Sequence, residues 1–132
     1  LQADGGTRTA SISAGYVALI DALRWMVSRS LLPELPMKTQ IGAVSAGIVN
    51  GVPMLDLCYE EDSAADVDAN IVMTSSGEFV ELQGTGEGGV FSRAELDRIV
   101  SLGWKGISEI HLLQAEALKL TEEERSVLSG CR

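Results

Sequence analysis

Two short stretches of the 132-residue chain hold the groups best suited to chemistry. The first, Gly5-Gly6-Thr7-Arg8, stands at the head of a long apolar segment. If that segment is helical, its first backbone N–H groups lack intrahelical acceptors and the helix dipole favours an anion there. Arg8 adds a planar fork suited to phosphate oxygens. The same four residues also fit a plain turn with a threonine cap and a solvated arginine, because the longer P-loop pattern with its lysine is missing. The second stretch, LDLCYEEDSAADVD over residues 55–68, carries Asp56, Glu60, Glu61, Asp62, Asp66 and Asp68. Carboxylates this dense repel one another unless a cation or solvent offsets the charge. A hard cation such as Mg²⁺ takes one or two of them and fills its shell with water and phosphate oxygens. The competing reading is a solvated acidic loop. Asp56 and Asp62 share strand parity, but a straight strand would hold them about 20 Å apart. A common site therefore requires a sharp bend between Tyr59 and Ala65, for which Ser63-Ala64-Ala65 is suited.

The elements that must position these groups are legible in outline. Residues 9–29 predict a helix capped by Thr7 or Thr9, with Ser13, Asp21, Arg24 and Ser28 as one narrow polar stripe. Its remaining circumference is more apolar than one buried face requires, so cover on more than one side is expected. Residues 40–49 predict a strand, and Asn50-Gly51 makes a hairpin with VPMLDLCY. VDANIVMT (67–74) alternates as a strand and turns through Ser75-Ser76-Gly77 into EFVELQG, a second hairpin. Ser92 and Glu95 form a capping-box spacing that opens a helix over about 93–102. A break at Gly103 to Gly106 and a second helix over about 108–120 follow. TEEERSVLSGCR (121–132) reads as a polar, frayed tail. The expected fold class is α+β, a mostly antiparallel sheet with helices in the order helix, four strands, two helices.

Composition excludes several function classes. Ten basic residues against nineteen acidic ones give a net charge of −9, a surface that repels polyanions unless the acids gather at a metal and basic surface comes from elsewhere. No run of about 18 apolar residues spans a bilayer, and with no secretory lead the expected setting is cytoplasmic, without a membrane partner. Cys58 and Cys131 form no metal-ligand pair and are expected to be reduced. QGTGEGG (83–89) reads as a loop ending a strand in preference to a phosphate cradle. His111 is read as structural or surface, and Trp25 and Trp104 as packing groups.

QADGGTRTASI, AVSAGIVNG, LDLCYEEDSAADVDANIVMT and ELQGTGEG, in that order and spacing, resemble the carboxy-terminal portion of the bacterial ribonuclease PH family (tRNA nucleotidyltransferase). The wider likeness is to polynucleotide phosphorylase cores and exosome ring subunits. The resemblance covers residues 1 to about 120, with 121–132 as tail. It implies a ribosomal protein S5 domain 2-like fold and a phosphorolytic 3′→5′ exoribonuclease that trims tRNA precursors. Inorganic phosphate is then the co-substrate and nucleoside 5′-diphosphates are released. On that pattern Gly6, Thr7 and Arg8 bind phosphate. Asp56 and Asp62 are catalytic and hold Mg²⁺ or Mn²⁺, and Asp68 supports them, an acid of this group helping to protonate the leaving 3′ oxygen. The family's chains are about twice as long and form a hexameric ring, a trimer of dimers. The expectation is thus that an amino-terminal half is lacking. The alternatives are a non-catalytic RNA-binding ring or scaffold subunit and an inactive fragment.

Overall fold

The computed structural model describes residues 4–128. Helix α1 (Thr7–Ser28) leads into a four-stranded sheet made of β1 (Ile41–Val49), β2 (Val52–Leu55), β3 (Val67–Thr74) and β4 (Phe79–Gly86). The one-turn helix α2 (Tyr59–Asp62) interrupts the strands, and α3 (Arg93–Ala117) and α4 (Glu122–Leu128) close the described chain. The sheet order is β2-β1-β3-β4 and every pairing is antiparallel, so the α+β class and both hairpins stand as expected. Asn50 and Gly51 take positive φ angles of 52° and 76° at the first hairpin, as a tight two-residue turn demands.

The two faces of the sheet differ in kind. Val44, Ala46 and Ile48 of β1 and Val67, Ala69, Ile71 and Met73 of β3 form one buried cluster with Ile99 and Ile107 of α3. Residues paired across antiparallel strands share a face. Ser45, Asn70 and Gln83 therefore form a row on the opposite face, flanked by Asp68 with Thr85 and by Val72 with Glu81. One face is a core; the other carries polar groups.

Helix α3 runs unbroken through the glycines expected to end it. A Cβ on Gly103 would stand 2.4 Å from Ile71 Cδ1, and one on Gly106 2.9 Å from Leu55 Cδ2. Three residues apart, both lie on one side of the helix and let it approach the sheet. These glycines answer a packing demand, which local propensity cannot register.

The tail also departs from expectation. Residues 122–128 form α4, and Leu128 is buried in a second cluster with Tyr16, Ile20, Ala115, Leu118 and Leu120. Arg24 of α1 fixes this end: its Nε donates to Glu124 Oε1 at 2.9 Å and its Nη1 to the Leu118 carbonyl at 2.6 Å. Residues 129–132, with Cys131, lie outside the described residues; Cys58 is a free thiol.

Helix α1 lies beside β1 where β2 stops. The Ser13 hydroxyl accepts the Ala43 N–H at 3.0 Å and donates to the Ala43 carbonyl at 3.1 Å, satisfying an edge that has no strand partner there. By length and composition alone α1 meets the requirement for a membrane span, with mean hydropathy 1.2, which the sequence reading did not anticipate. Within the fold, Thr9, Tyr16 and Ile20 bury one stripe of it, and Leu19 and Trp25 stay exposed.

His111 is buried against β1, where a Cβ on Gly42 would stand 3.0 Å from its Nε2. That nitrogen has no hydrogen-bond partner, and burial pushes the imidazole pKa below its ordinary value. The folded state thus resists protonation more than the unfolded chain does. Titration of His111 costs no stability above about pH 6.5, and stability falls as pH drops through that value toward the lower folded pKa. Melting temperatures at pH 7.5 and 5.5 should therefore differ more for the parent protein than for His111→Leu.

Candidate active site

The head of α1 is brought to the acidic segment by backbone contact. A Cβ on Gly5 would lie 2.1 Å from the Leu57 carbonyl oxygen, and Gly6 holds φ at 68° with its Cβ position 3.1 Å from Ser45 Oγ and 3.7 Å from Asp56 Oδ1. Asp4 ties the two segments together: Oδ1 accepts the Gly5 N–H at 2.9 Å and the N–H of Tyr59, the first residue of α2. Beneath them the Ser45 hydroxyl accepts the Leu57 N–H at 3.2 Å, and the Ser45 carbonyl accepts the Asp56 N–H at 2.8 Å.

The expected threonine cap is absent. Gly6 occupies the N-cap position with no side-chain cap. Thr7 Oγ1 donates to the Asp4 carbonyl and Thr9 Oγ1 to the Gly6 carbonyl, so neither hydroxyl takes a helix N–H. The uncapped first turn retains the donors that suit an anion.

The six acids divide by task. Glu61 accepts the Cys58 N–H at 3.0 Å in the α2 capping box. Asp66 accepts the Gly51 N–H at 3.4 Å, and its carbonyl takes the N–H groups of Glu87 and Gly88. This last contact makes the glycine-rich 83–89 segment a strand end. The bend between Asp56 and Asp62 is present, with Asp56 itself at a φ of 56° and α2 starting at Tyr59, upstream of Ser63.

A cleft of about 260 Å³ collects Gly5, Gly6, Thr7 and Arg8 on one side and Asp62 and Asp68 on the other, with Asp4, Ser45 and Asn70 completing its lining. Of the residues expected at the site, Asp56 alone does not line this cleft; it stands beside Gly6 and borders a separate groove between α1 and α3. Ser45, Asn70 and Asp4 were not anticipated. The i, i+2 spacing of Asp68 and Asn70 on β3 was the available signal, since both must share a face.

The electrostatics separate the acids further. Burial raises the Asp68 pKa first, and the charges of Asp62 and Glu87 raise it further. Arg8 Nη2 lies 2.7 Å from Glu81 Oε2, a half-exposed pair whose hydrogen bond and charge raise the arginine pKa and lower that of the glutamate. Among the described residues no three His, Cys, Asp or Glu side chains converge as a metal-ligand set. Two facing carboxylates with mutual repulsion nevertheless fit a cation that keeps most of its shell as water.

Comparison with known proteins decides the lineage. The profile of the 3′ exoribonuclease family, domain 2, matches residues 39–106. The chain belongs to the 3′ exoribonuclease family. Its likeness is to a carboxy-terminal portion of ribonuclease PH: it is 52% identical over 118 residues to ribonuclease PH of Syntrophomonas wolfei, covering 89% of this chain and 49% of that protein. Against ribonuclease PH of Neisseria gonorrhoeae it is 54% identical over 120 residues, 91% of this chain and 50% of that protein. The chain thus spans about half the length of the curated relatives it matches. The fold recurs in rice (Oryza sativa) Rrp46, with a TM-score of 0.72 and 20% identity over 91% of this chain and 51% of that one. It recurs less fully in the Archaeoglobus fulgidus exosome with RNA bound to the active site, with a TM-score of 0.52, 21% identity, and coverage of 66% of this chain and 35% of that one.

In this family member Gly5→Ala should lower stability by about 2 kcal/mol or more, because the clash is with backbone that cannot rotate away; urea denaturation measures it. Asp68 has the opposite sign. Its raised pKa makes the folded state favour the protonated form, a contribution present at low pH and lost as pH rises through the folded pKa. Asp68→Asn should therefore raise the melting temperature at pH 7 without divalent cations, by about 2 °C after allowance for solvent screening.

Proposed function

We propose that the chain forms the phosphate- and metal-binding part of a phosphorolytic 3′→5′ exoribonuclease acting on tRNA precursors. The observation that carries this reading is the single cleft joining the uncapped head of α1 and Arg8 to Asp62 and Asp68. Identity above 50% to proteins named ribonuclease PH supports it. A purely structural ring subunit has no use for this set of groups, so the scaffold alternative is not favoured.

Phosphorolysis brings two anions together, and catalysis must align them and offset their charge. Inorganic phosphate would sit at the first turn of α1, held by backbone N–H groups of Gly6 and Thr7 and by the Arg8 guanidinium. One of its oxygens attacks the phosphorus of the terminal phosphodiester, and the bond from that phosphorus to the 3′ oxygen breaks. The products are a nucleoside 5′-diphosphate and RNA one residue shorter with a free 3′ hydroxyl. The proton lost by the phosphate nucleophile balances the one the 3′ oxygen gains. Asp62 with Asp56, and Asp68 in support, would hold Mg²⁺ or Mn²⁺, which when bound offsets charge on the scissile phosphate. Asp56 takes the left-handed backbone angle of the turn that leads to α2, and its Oδ1 lies 3.7 Å from where a Cβ on Gly6 would stand.

RNA binding and ring assembly belong to the same reading. With a net charge of −9 this chain would draw most RNA-contacting basic surface from elsewhere, and exposed Leu19 and Trp25 on α1 offer apolar area of the kind subunit contacts cover. The test uses the whole protein with Mg²⁺ and a tRNA bearing extra 3′ nucleotides. Diphosphate release should require added phosphate, and Asp62→Asn should lower kcat by about 100-fold or more. Monophosphate release without phosphate, or full activity in Asp62→Asn, overturns the proposal.

A further inference from the structure

Arg8 does not hang free at the mouth of the cleft. It is the second residue of α1, whose start lies against Ser45 of β1, and its guanidinium meets Glu81 of β4 at 2.7 Å. In the sheet order β3 lies between β1 and β4, so the arginine reaches across the width of a strand. Glu81 pairs in register with Val72 of β3 and so stands on the same face as Asp68 and Asn70, which line the cleft. Glu81 itself is not part of that lining. It belongs to an edge strand and is exposed enough that its removal disturbs no core. The contact with Glu81 occupies one N–H of five, and the guanidinium keeps donors for a second anion.

We propose that Glu81 is a positioning residue for Arg8, holding the guanidinium extended over the open sheet face so that its remaining donors meet phosphate bound at the head of α1. The inference rests on the phosphate site proposed above. An untethered arginine samples many rotamers, and ordering it on binding weakens phosphate capture. Glu81 does not line the cleft, so its removal acts on phosphate affinity and leaves the chemical step largely intact. A glutamine at this position keeps an acceptor oxygen at the same reach and removes the charge, which separates positioning from electrostatic competition.

The experiment compares Glu81→Ala, Glu81→Gln and Arg8→Ala with the parent in the whole protein, reading KM for inorganic phosphate, kcat and melting temperature. Glu81→Ala should raise the phosphate KM about three- to tenfold with kcat within about twofold and melting unchanged, and Glu81→Gln should stay within about twofold of the parent on every measure. Arg8→Ala should raise the phosphate KM further than Glu81→Ala does. An unchanged KM in Glu81→Ala, or a lower KM in both Glu81 variants, overturns the positioning role; the second outcome makes Glu81 a competitor of phosphate. An unchanged phosphate KM in Arg8→Ala sinks the underlying phosphate site itself, whatever the Glu81 variants do.

Discussion

The site depends on one backbone approach, that of Gly5 to the carbonyl of Leu57, closer than any side chain allows. It sets the head of α1 against the end of β2, and Asp4 fixes the contact by accepting N–H groups from both segments. A helix start carries only a partial positive charge whose influence fades within a turn. It serves a phosphate near the acids only if it stands beside them, and bulk at residue 5 would push it away. The two glycines thus work by different means: Gly5 permits approach, and Gly6 takes the left-handed backbone angle that starts the helix there.

The sheet divides labour between its faces. The apolar side of β1 and β3 carries the core with α3, where Gly103 and Gly106 admit close packing. The other side is left for polar groups, and strand register alone brings Ser45, Asn70 and Asp68 to the cleft. A rigid, well-packed sheet is a sound base for the proposed site, which would hold two anions in line. Burial raises the Asp68 pKa first and the charges of Asp62 and Glu87 raise it further; a cation would offset the charge part.

Much of this was legible in the residues. Strand alternation, Asn50-Gly51 and the Ser92–Glu95 box indicated the hairpins and the start of α3, because each rests on contacts within a few residues. The end of α3 was not legible: glycines weaken isolated helices, and their fit against Ile71 and Leu55 exists only after the sheet forms. α4 was missed for the same reason, since TEEERSVL is mostly polar and its place depends on Arg24, nearly a hundred residues earlier in the chain, and on the burial of Leu128.

Sequence by itself determined which groups are available: an arginine suited to anions at a helix head, a dense run of acids, and the spacing that ties them to the 3′ exoribonuclease family. Tertiary structure decided which of them meet. It assigned Glu61 and Asp66 to backbone hydrogen bonds, turned Asp62 and Asp68 toward Arg8, left Asp56 beside Gly6, and paired Arg8 with Glu81 across a strand. Side-chain chemistry is a property of residues, whereas convergence is a property of strand register and backbone clearance, which act between segments far apart in the chain.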